Sequence, residues 1–563
     1  MTWFEAFLVR YPELALFLVI SLGAWFGGIR LGRFSIGPVT GSLFAGILVG
    51  QFAHVPVPDM TKSFLFLLFL FGIGYSVGPQ FMQALRRQGA KPMLLAVICC
   101  ATGLAAATMV AKLMGLDVGF AAGLVSGALT QSPAIGTATE AIGLLPLPEA
   151  ERARLIAHVA VAHAVCYVFG SVGVIMFCSV VGPQILGIDL KTEARKLEQE
   201  LGMKRAAPGV FSAWRRFEVR AYRLSADSAL AGLSVATAEA HASQHRFFIL
   251  RVRHDKQLHE ATPDLVLHAG DVVALSGRRE ELIGMLGEKA EEVEDPVLLD
   301  IPLSVARVLL TSHDLVGRPL GELAFQESAR GLYLRSVMRG GEAVPLAPGL
   351  TLENGDILHL VGPEPVVAGA ARRMGRIIAS ATATDFVTLG LAIFLGGLAG
   401  ALVTFSIEGM QVSLGTSVGT LLAGLLVGYL RTRLPLLGPI PDGAVALMTS
   451  LGLAAFVGMT GLQAGPVFLS AVAEAGVGLL LGGAVVTMAP MVVGLYSGRN
   501  LLRMNPLLLL GALAGAQTTT AAMAAVQEQS ESPVAVLGYT AAVPIGQILL
   551  TTWGTVIVGL VSS

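Results

Sequence analysis

Two short polar clusters interrupt long apolar runs, and their residue types suit the handling of a small ligand. One is Gln131-Ser132-Pro133, preceded by Gly127-Ala-Leu-Thr; the other is Gln517-Thr518-Thr519-Thr520, preceded by Gly511-Ala-Leu-Ala-Gly-Ala. Ser before Pro is the pattern of an N-cap and first helical residue, so it predicts a helix that starts inside the apolar stretch. The threonines can cap a second half-helix in the same way. Free N–H groups and the positive end of a helix dipole suit a carboxylate. No Arg falls beside either cluster, so neutral donors and dipoles would hold such a ligand. The competing reading is that each polar side chain bonds only its own helix. Two clusters at corresponding places in the chain favour a binding role.

Other residues carry weaker chemical signals. Gly74, Gly78 and Pro79 lie in FLFGIGYSVGPQF, and Gly461, Gly465 and Pro466 lie in FVGMTGLQAGPVF. Small residues four apart serve close helix packing, while the prolines leave open a local break that exposes backbone. Ser76 and Gln463 occupy the same place in the two segments and can face one cavity. His158 and His163 stand inside an apolar run, five apart and so on different helix faces. Hydrogen-bonded packing is the plain reading; proton coupling or substrate contact is the alternative, and no metal site is expected. Cys99, Cys100, Cys166 and Cys178 have only apolar company and read as buried packing. There is no phosphate loop with its Lys and no His-Glu-x-x-His. Neither an enzyme nor a cofactor is expected.

These clusters need elements that hold them in an apolar medium, and the composition supplies them. Hydrophobic residues make up 54% of the 563 and charged residues only 14%, where a soluble chain carries about 25% charged. Mean hydropathy is +0.71. Most charges fall in 186–380, so a polar insert sits between two membrane blocks. The net charge of −1 points to no nucleic-acid partner.

Six apolar stretches fit the first block, near 13–29, 36–52, 63–83, 92–111, 119–143 and 155–181. Six more fit the second, near 385–404, 412–430, 444–468, 475–497, 506–527 and 534–561. Most approach the roughly 20 residues a span requires. Arg10 precedes the first stretch without a small-residue cleavage site, so it reads as a transmembrane helix and not as a signal peptide. The paired glycine segments and paired polar clusters, in one order, indicate a duplication. Basic residues gather at Arg30/Arg33, Arg86/Arg87/Lys91, Arg431/Arg433 and Arg499/Arg503. All four clusters fall on the side of the insert if the fifth stretch of each block enters and returns on one side. Lys62 and Lys112 are lone exceptions. The expectation is therefore a polytopic α-helical membrane protein: two inverted repeats of about five spans, each with one re-entrant helical hairpin. Both termini lie outside and the insert is cytoplasmic. Irregular backbone at that depth is tolerated where it lines a cavity, which is a transporter plan.

The insert is itself double. His268-Ala-Gly-Asp-Val-Val-Ala-Leu-Ser-Gly277 matches Glu353-Asn-Gly-Asp-Ile-Leu-His-Leu-Val-Gly362 at a spacing of 85 residues. Phe247–Arg253 and Leu332–Met338 read as strands. The expected boundaries are 1–185 and 377–563 for the membrane repeats, 186–210 for a charged linker, and 211–295 and 296–376 for two α+β modules.

Duplicated membrane blocks with Gly-x-x-x-Gly-Pro, flanking two modules with Gly270-Asp271 and Gly355-Asp356 turns, resemble the bacterial aspartate:alanine exchanger family. The modules are similar to the C-terminal domain of potassium-conductance regulators (RCK-C or TrkA-C). The resemblance implies secondary transport in a bacterial inner membrane, exchanging aspartate for alanine or, in a related branch, exporting dicarboxylates such as succinate. It implies a homodimer whose modules can bind a small ligand. The membrane plan is similar to that of elevator-type glutamate:sodium symporters. No Gly-x-Gly-x-x-Gly occurs in 186–380, so NAD binding is not implied. Two readings of other classes are a regulated ion channel, which lacks a Thr-Val-Gly-Tyr-Gly filter here, and a membrane sensor that transports nothing.

Overall fold

The computed structural model describes residues 3–31, 34–35, 37–84, 90–203, 217–226, 228–241, 247–278, 291–324, 326, 329–339, 342–378, 383–407, 410–433 and 438–562. Arg33, Arg86, Arg87 and the last part of the linker lie outside the described residues. Two compact units emerge, a helical one (1–198, 338–344 and 380–563) and an α+β one (199–337 and 345–379).

The first block opens with α1 (Trp3–Arg10) and α2 (Pro12–Gly27), bent by 106° at Tyr11. A hairpin, β1 (Arg30–Leu31) and β2 (Phe34–Ser35), leads to α3 (Pro38–Phe52). Then come α4 (Asp59–Ala84), α5 (Ala90–Met114), α6 (Val118–Ala128), α7 (Pro133–Gly143) and α8 (Glu149–Met176). The last continues through a π-turn to Leu186, and α9 (Leu190–Glu200) follows.

In the insert, β3 (Phe217–Arg223), β4 (Phe248–His254), β5 (Gln257–Glu260), β6 (Val272–Arg278) and β7 (Glu291–Glu292) form one sheet in the order β5-β4-β6-β3-β7. The second sheet repeats the plan. Its strands β8 (Leu303–Leu310), β9 (Tyr333–Arg339), β10 (Glu342–Val344), β11 (Ile357–Pro363) and β12 (Gly375–Ile377) run in the order β10-β9-β11-β8-β12. The turn entering the central strand needs a left-handed residue, which Gly270 (φ 93°) and Gly355 (φ 89°) supply. Tyr222, Ile249, Val252, Val273 and Leu275 bury one face of the first sheet, as alternating strand residues do.

The second block repeats the first: α10 (Phe386–Leu402), a hairpin of β13 (Thr404–Ile407) and β14 (Met410–Ser413), α11 (Gly415–Arg433), α12 (Asp442–Ala464), α13 (Phe468–Tyr496), α14 (Pro506–Ala516), α15 (Thr520–Ser530) and α16 (Val536–Ser562). Among the described residues five helical stretches are long and apolar enough to cross a bilayer, or six with α1 and α2 taken as one bent span. α3 and α10 have 15 and 17 residues and fall short of about 20.

The packing mixes the two blocks. α4 lies on α11, α3 on α12, α2 on α3 and α10 on α11, so the first halves of both blocks make one bundle. α6 lies on α8, α14 on α16, α8 on α13 and α5 on α16, so the second halves make another. Glycines allow these contacts. A Cβ at Gly74 would fall 2.2 Å from the Leu421 carbonyl oxygen, and one at Gly78 would fall 2.2 Å from that of Leu425. One at Gly461 would lie 2.5 Å from the Leu43 oxygen, and one at Gly465 would lie 2.6 Å from the Gly50 carbonyl carbon. The alternative of a local break is not realised in α4, which runs unbroken through Gly74, Gly78 and Pro79. In the second block a 3-10 turn, Gly465–Val467, carries Pro466. The small residues bring helices together, and they do so without opening the backbone of α4.

Contact registers also give direction. Gly452 lies against Leu65 and Phe69, and Gly72 against Thr449, Met448 and Val445, so α4 and its counterpart α12 run antiparallel. Gly119, Gly123 and Gly127 meet Leu155, Val159 and His163 in turn. α6 is therefore parallel to α8, and α7 must run back between them. Gly511 and Gly515 meet Ala535 and Tyr539 in the same way, which sets α14 parallel to α16.

Candidate functional site

The two helix breaks meet. α6 ends at Ala128 and α7 begins at Pro133; α14 ends at Ala516 and α15 begins at Thr520. Thr130 (φ 55°) and Thr518 (φ 52°) turn the chain in the left-handed region. For a β-branched residue this costs about 1–3 kcal/mol and persists only where surroundings over-determine it. Here they do. The Thr130 hydroxyl donates to the Gln517 carbonyl oxygen at 2.7 Å and lies 3.1 Å from the Thr519 hydroxyl. The Thr518 hydroxyl donates to Gln131 Oε1 at 3.1 Å.

These bonds have a pseudo-two-fold pattern. The Leu129 N–H donates to Val125 and the Gln517 N–H to Leu513; the Gln131 N–H donates to Ser126 and the Thr519 N–H to Ala514. Thr130 thus corresponds to Thr518, Gln131 to Thr519 and Ser132 to Thr520. The two glutamines are therefore not counterparts, although each opens its polar cluster. Each tip also receives a ring from the long helix behind it. Ser132 Oγ lies 3.4 Å from His163 Nε2, and Thr520 Oγ1 lies 2.8 Å from the Tyr539 hydroxyl. The Thr487 hydroxyl donates to the Ala128 carbonyl, and the Cys100 thiol donates to that of Ala516. The last carbonyls of α6 and α14 are satisfied in matching ways.

The hydroxyls do not cap the half-helices as the sequence suggested. Ser132 has helical angles (φ −54°, ψ −34°), and neither it nor Thr519 makes a side-chain cap bond. Their hydroxyls are used across the tips and toward His163. Gln131 is buried, and its Nε2 donates to Thr551 Oγ1 at 2.7 Å. Gln517 is 1% exposed, and among the described residues its Oε1 has no hydrogen-bond partner.

Three candidates lie elsewhere. Ser76 is exposed and donates to the Ile73 carbonyl of its own helix. Gln463 accepts from the buried Lys62 ammonium at 2.7 Å. The two do not share a cavity with the tips, because α4 and α12 belong to the other bundle. His158 sits toward the N-terminal end of α6, where its Nδ1 is 2.6 Å from Asp117 Oδ2 and its Nε2 is 3.8 Å from Glu474 Oε2. Those three residues could hold a cation. Only His163 of the two histidines reaches a tip.

Sequence reading missed Thr130, Thr551, Lys62 and Glu140. Lys62 carried a signal, a lone cation at the entry of an apolar run. Glu140 on α7 accepts from the Thr416 N–H (2.6 Å), the Thr416 hydroxyl (2.5 Å) and the Ser417 N–H (3.0 Å), at the start of α11. No local pattern announces that contact.

The model of a predicted permease membrane region, Asp-Al_Ex, matches residues 15–183 and 388–559, which are the two helical blocks that contribute the tips. The chain belongs to the Asp-Al_Ex permease family. It is a membrane transporter and not an enzyme. A TrkA-C domain model matches residues 219–286, over the first sheet of the insert. An uncharacterized transporter of Bradyrhizobium diazoefficiens is 60% identical over 92% of this chain and 100% of its own length. One of Bordetella bronchiseptica is 40% identical over 97% of the chain and 96% of its own. One of Shewanella oneidensis is 34% identical over 99% of each. No solved structure matches.

Proposed function

We propose that this Asp-Al_Ex permease is a secondary active antiporter that exchanges small anionic or zwitterionic substrates, with aspartate for alanine as the type pair. The meeting of the two strained helix breaks inside the helical unit carries the reading. Gln131, Ser132, Pro133, Gln517, Thr518, Thr519 and Thr520 would line the substrate, with α7 and α15 directing their N-termini at a carboxylate. The buried, unpartnered Gln517 Oε1 favours a substrate that also carries an ammonium donor. A dicarboxylate such as succinate would leave it without one, so export of that class is the second reading. His163, bonded to Ser132 and Ser126, is the one of the two candidate histidines that reaches a tip and through which a proton would couple to the substrate.

Two bundles, each drawn from both blocks, support an elevator-like alternation. The bundle of α5–α8 and α13–α16 would carry the substrate against the other. The antiparallel course of α4 and α12 supports inverted repeats, with both termini outside a bacterial inner membrane and the insert in the cytoplasm. The basic Arg431, Arg499 and Arg503 would then face the cytoplasm. A homodimer remains part of the reading.

The test is reconstitution in liposomes loaded with unlabelled aspartate, alanine or succinate, followed by uptake of labelled aspartate. Uptake that requires internal aspartate or alanine supports the exchange. Uptake driven only by internal succinate moves the protein to the dicarboxylate branch, and none under any loading withdraws the substrate. Ser132→Ala and Thr519→Ala should each lower uptake about tenfold, the loss of one hydrogen bond to a charged group, at unchanged folded yield. Unaltered kinetics in both would remove the tips from the site.

A further inference from the structure

The first module of the insert gathers two imidazoles around one buried carboxylate. Asp271 is 3% exposed and closes the turn before β6, its Oδ2 accepting the His268 N–H at 2.7 Å. Asp356 does the same in the second module, accepting the Glu353 N–H at 2.8 Å. That duty belongs to the fold. The rings around it do not. His254, the last residue of β4, places Nδ1 2.6 Å from Asp271 Oδ1, and His268 places Nδ1 3.9 Å from Oδ2. The two rings are 4.8 Å apart and tilted by 43°. Eighty-five residues on, the same positions hold Arg339 and Glu353, so the pair of imidazoles is peculiar to the first module.

We propose that His254, His268 and Asp271 form a binding site for a divalent transition metal ion of the Zn2+ class, with at least one coordination position open to water. One nitrogen from each imidazole and one carboxylate oxygen lie within 4.8 Å of one another. Tetrahedral ligands of zinc stand roughly 3.4 Å apart at bond lengths near 2.1 Å. The two contacts run to different carboxylate oxygens, so the His254 nitrogen must draw back from Oδ1 by roughly 0.8 Å while the His268 ring swings toward a metal on that oxygen. Both imidazole side chains are about half exposed, at 42% and 57%, and can turn by that much. Nitrogen donors with one oxygen select this class over Mg2+ or Ca2+, which take oxygen. The outer shell fits as well. His254 Nε2 lies 3.5 Å from Asp255 Oδ2, so a small turn of the ring would bring an outer carboxylate into hydrogen-bond range with the other nitrogen facing the metal. The sequence reading did not bring His254 and His268 together because β5 and its flanking loops separate them in the chain.

The test uses the full-length protein in detergent, free of any polyhistidine tag and stripped with chelator. Zn2+ is titrated by calorimetry, and Co2+ is followed by its visible absorption. The expected result is one ion per chain at micromolar affinity, unaffected by millimolar Mg2+. His268→Ala and His254→Gln should each weaken it by at least about tenfold with the circular dichroism spectrum intact, while Glu353→Ala leaves it unchanged. The proposal falls if Zn2+ does not bind below millimolar concentration, or if both histidine variants bind as the parent does. It also falls if only His158→Asn abolishes binding, which would place the ion at Asp117, His158 and Glu474.

Discussion

Removing the Glu140 carboxylate should loosen the start of α11, and the size of the effect follows from its bonds. The first N–H groups of a helix have no partner within it, and Glu140 supplies one for Thr416 and Ser417 from 276 and 277 residues away. It therefore acts as a cap borrowed from the other bundle, and it binds α7 to α11. A lost cap costs about 0.5–2 kcal/mol and a charge at a helix N-terminus contributes about 0.3–1 kcal/mol. Glu140 is partly exposed, so solvent screening keeps the sum near 1–2 kcal/mol. In Glu140→Ala this shifts the local opening equilibrium by about 5- to 30-fold. Hydrogen exchange followed by mass spectrometry over 410–424 reads it directly, as faster exchange at Thr416 and Ser417 by that factor. Glu140→Gln should fall between, since its amide oxygen still accepts but the charge is gone. Parent-like protection in Glu140→Ala would refute the reasoning.

Three further outcomes are expected. Gly74→Ala puts a methyl group into the Leu421 carbonyl and should cost about 1–3 kcal/mol in thermal unfolding in detergent, whereas Gly390→Ala, with nothing within 4 Å of its added Cβ, should be neutral or stabilising. Gln463→Leu strips the buried Lys62 ammonium of its acceptor and should cost about 1.5–3 kcal/mol, and adding Lys62→Met should recover much of the lost melting temperature. In the insert, the hydrogen bond from His254 to Asp271 raises the histidine pKa above its usual value near 6.5. A raised pKa stabilises the fold fully below about 6.5, and that contribution is lost as pH rises through the folded-state value. Histidine proton resonances should show His254 titrating above 6.5 in the parent and lower in Asp271→Asn, without Zn2+ present.

Much of the helical unit is legible in local pattern. The stretch 36–52 is the helix Pro38–Phe52, and 119–143 divides at Ser132-Pro133 into α6 and α7. Ser132-Pro133 marks that break, although Pro79 inside the unbroken α4 shows that a proline in an apolar run does not by itself decide one. The use of those hydroxyls was not legible. Ser132 turns to His163 because its backbone is already helical, and nothing in neighbouring residues reveals that. The hairpins Arg30–Ser35 and Thr404–Ser413 went unread because strands of two to four residues carry too little alternation.

The sequence by itself determined that the chain is a duplicated, apolar, helical protein with a doubled α+β insert. Hydrophobic spacing, turn residues and charge segregation are local properties, and each residue expresses them wherever the chain goes. Only the tertiary structure decided that Thr518 meets Gln131 across 387 residues, that Lys62 pairs with Gln463, and that His254 and His268 share Asp271. Those contacts depend on which helix faces and loops are brought together by packing of whole bundles and sheets. That packing sums many close glycine contacts, and no single segment carries it.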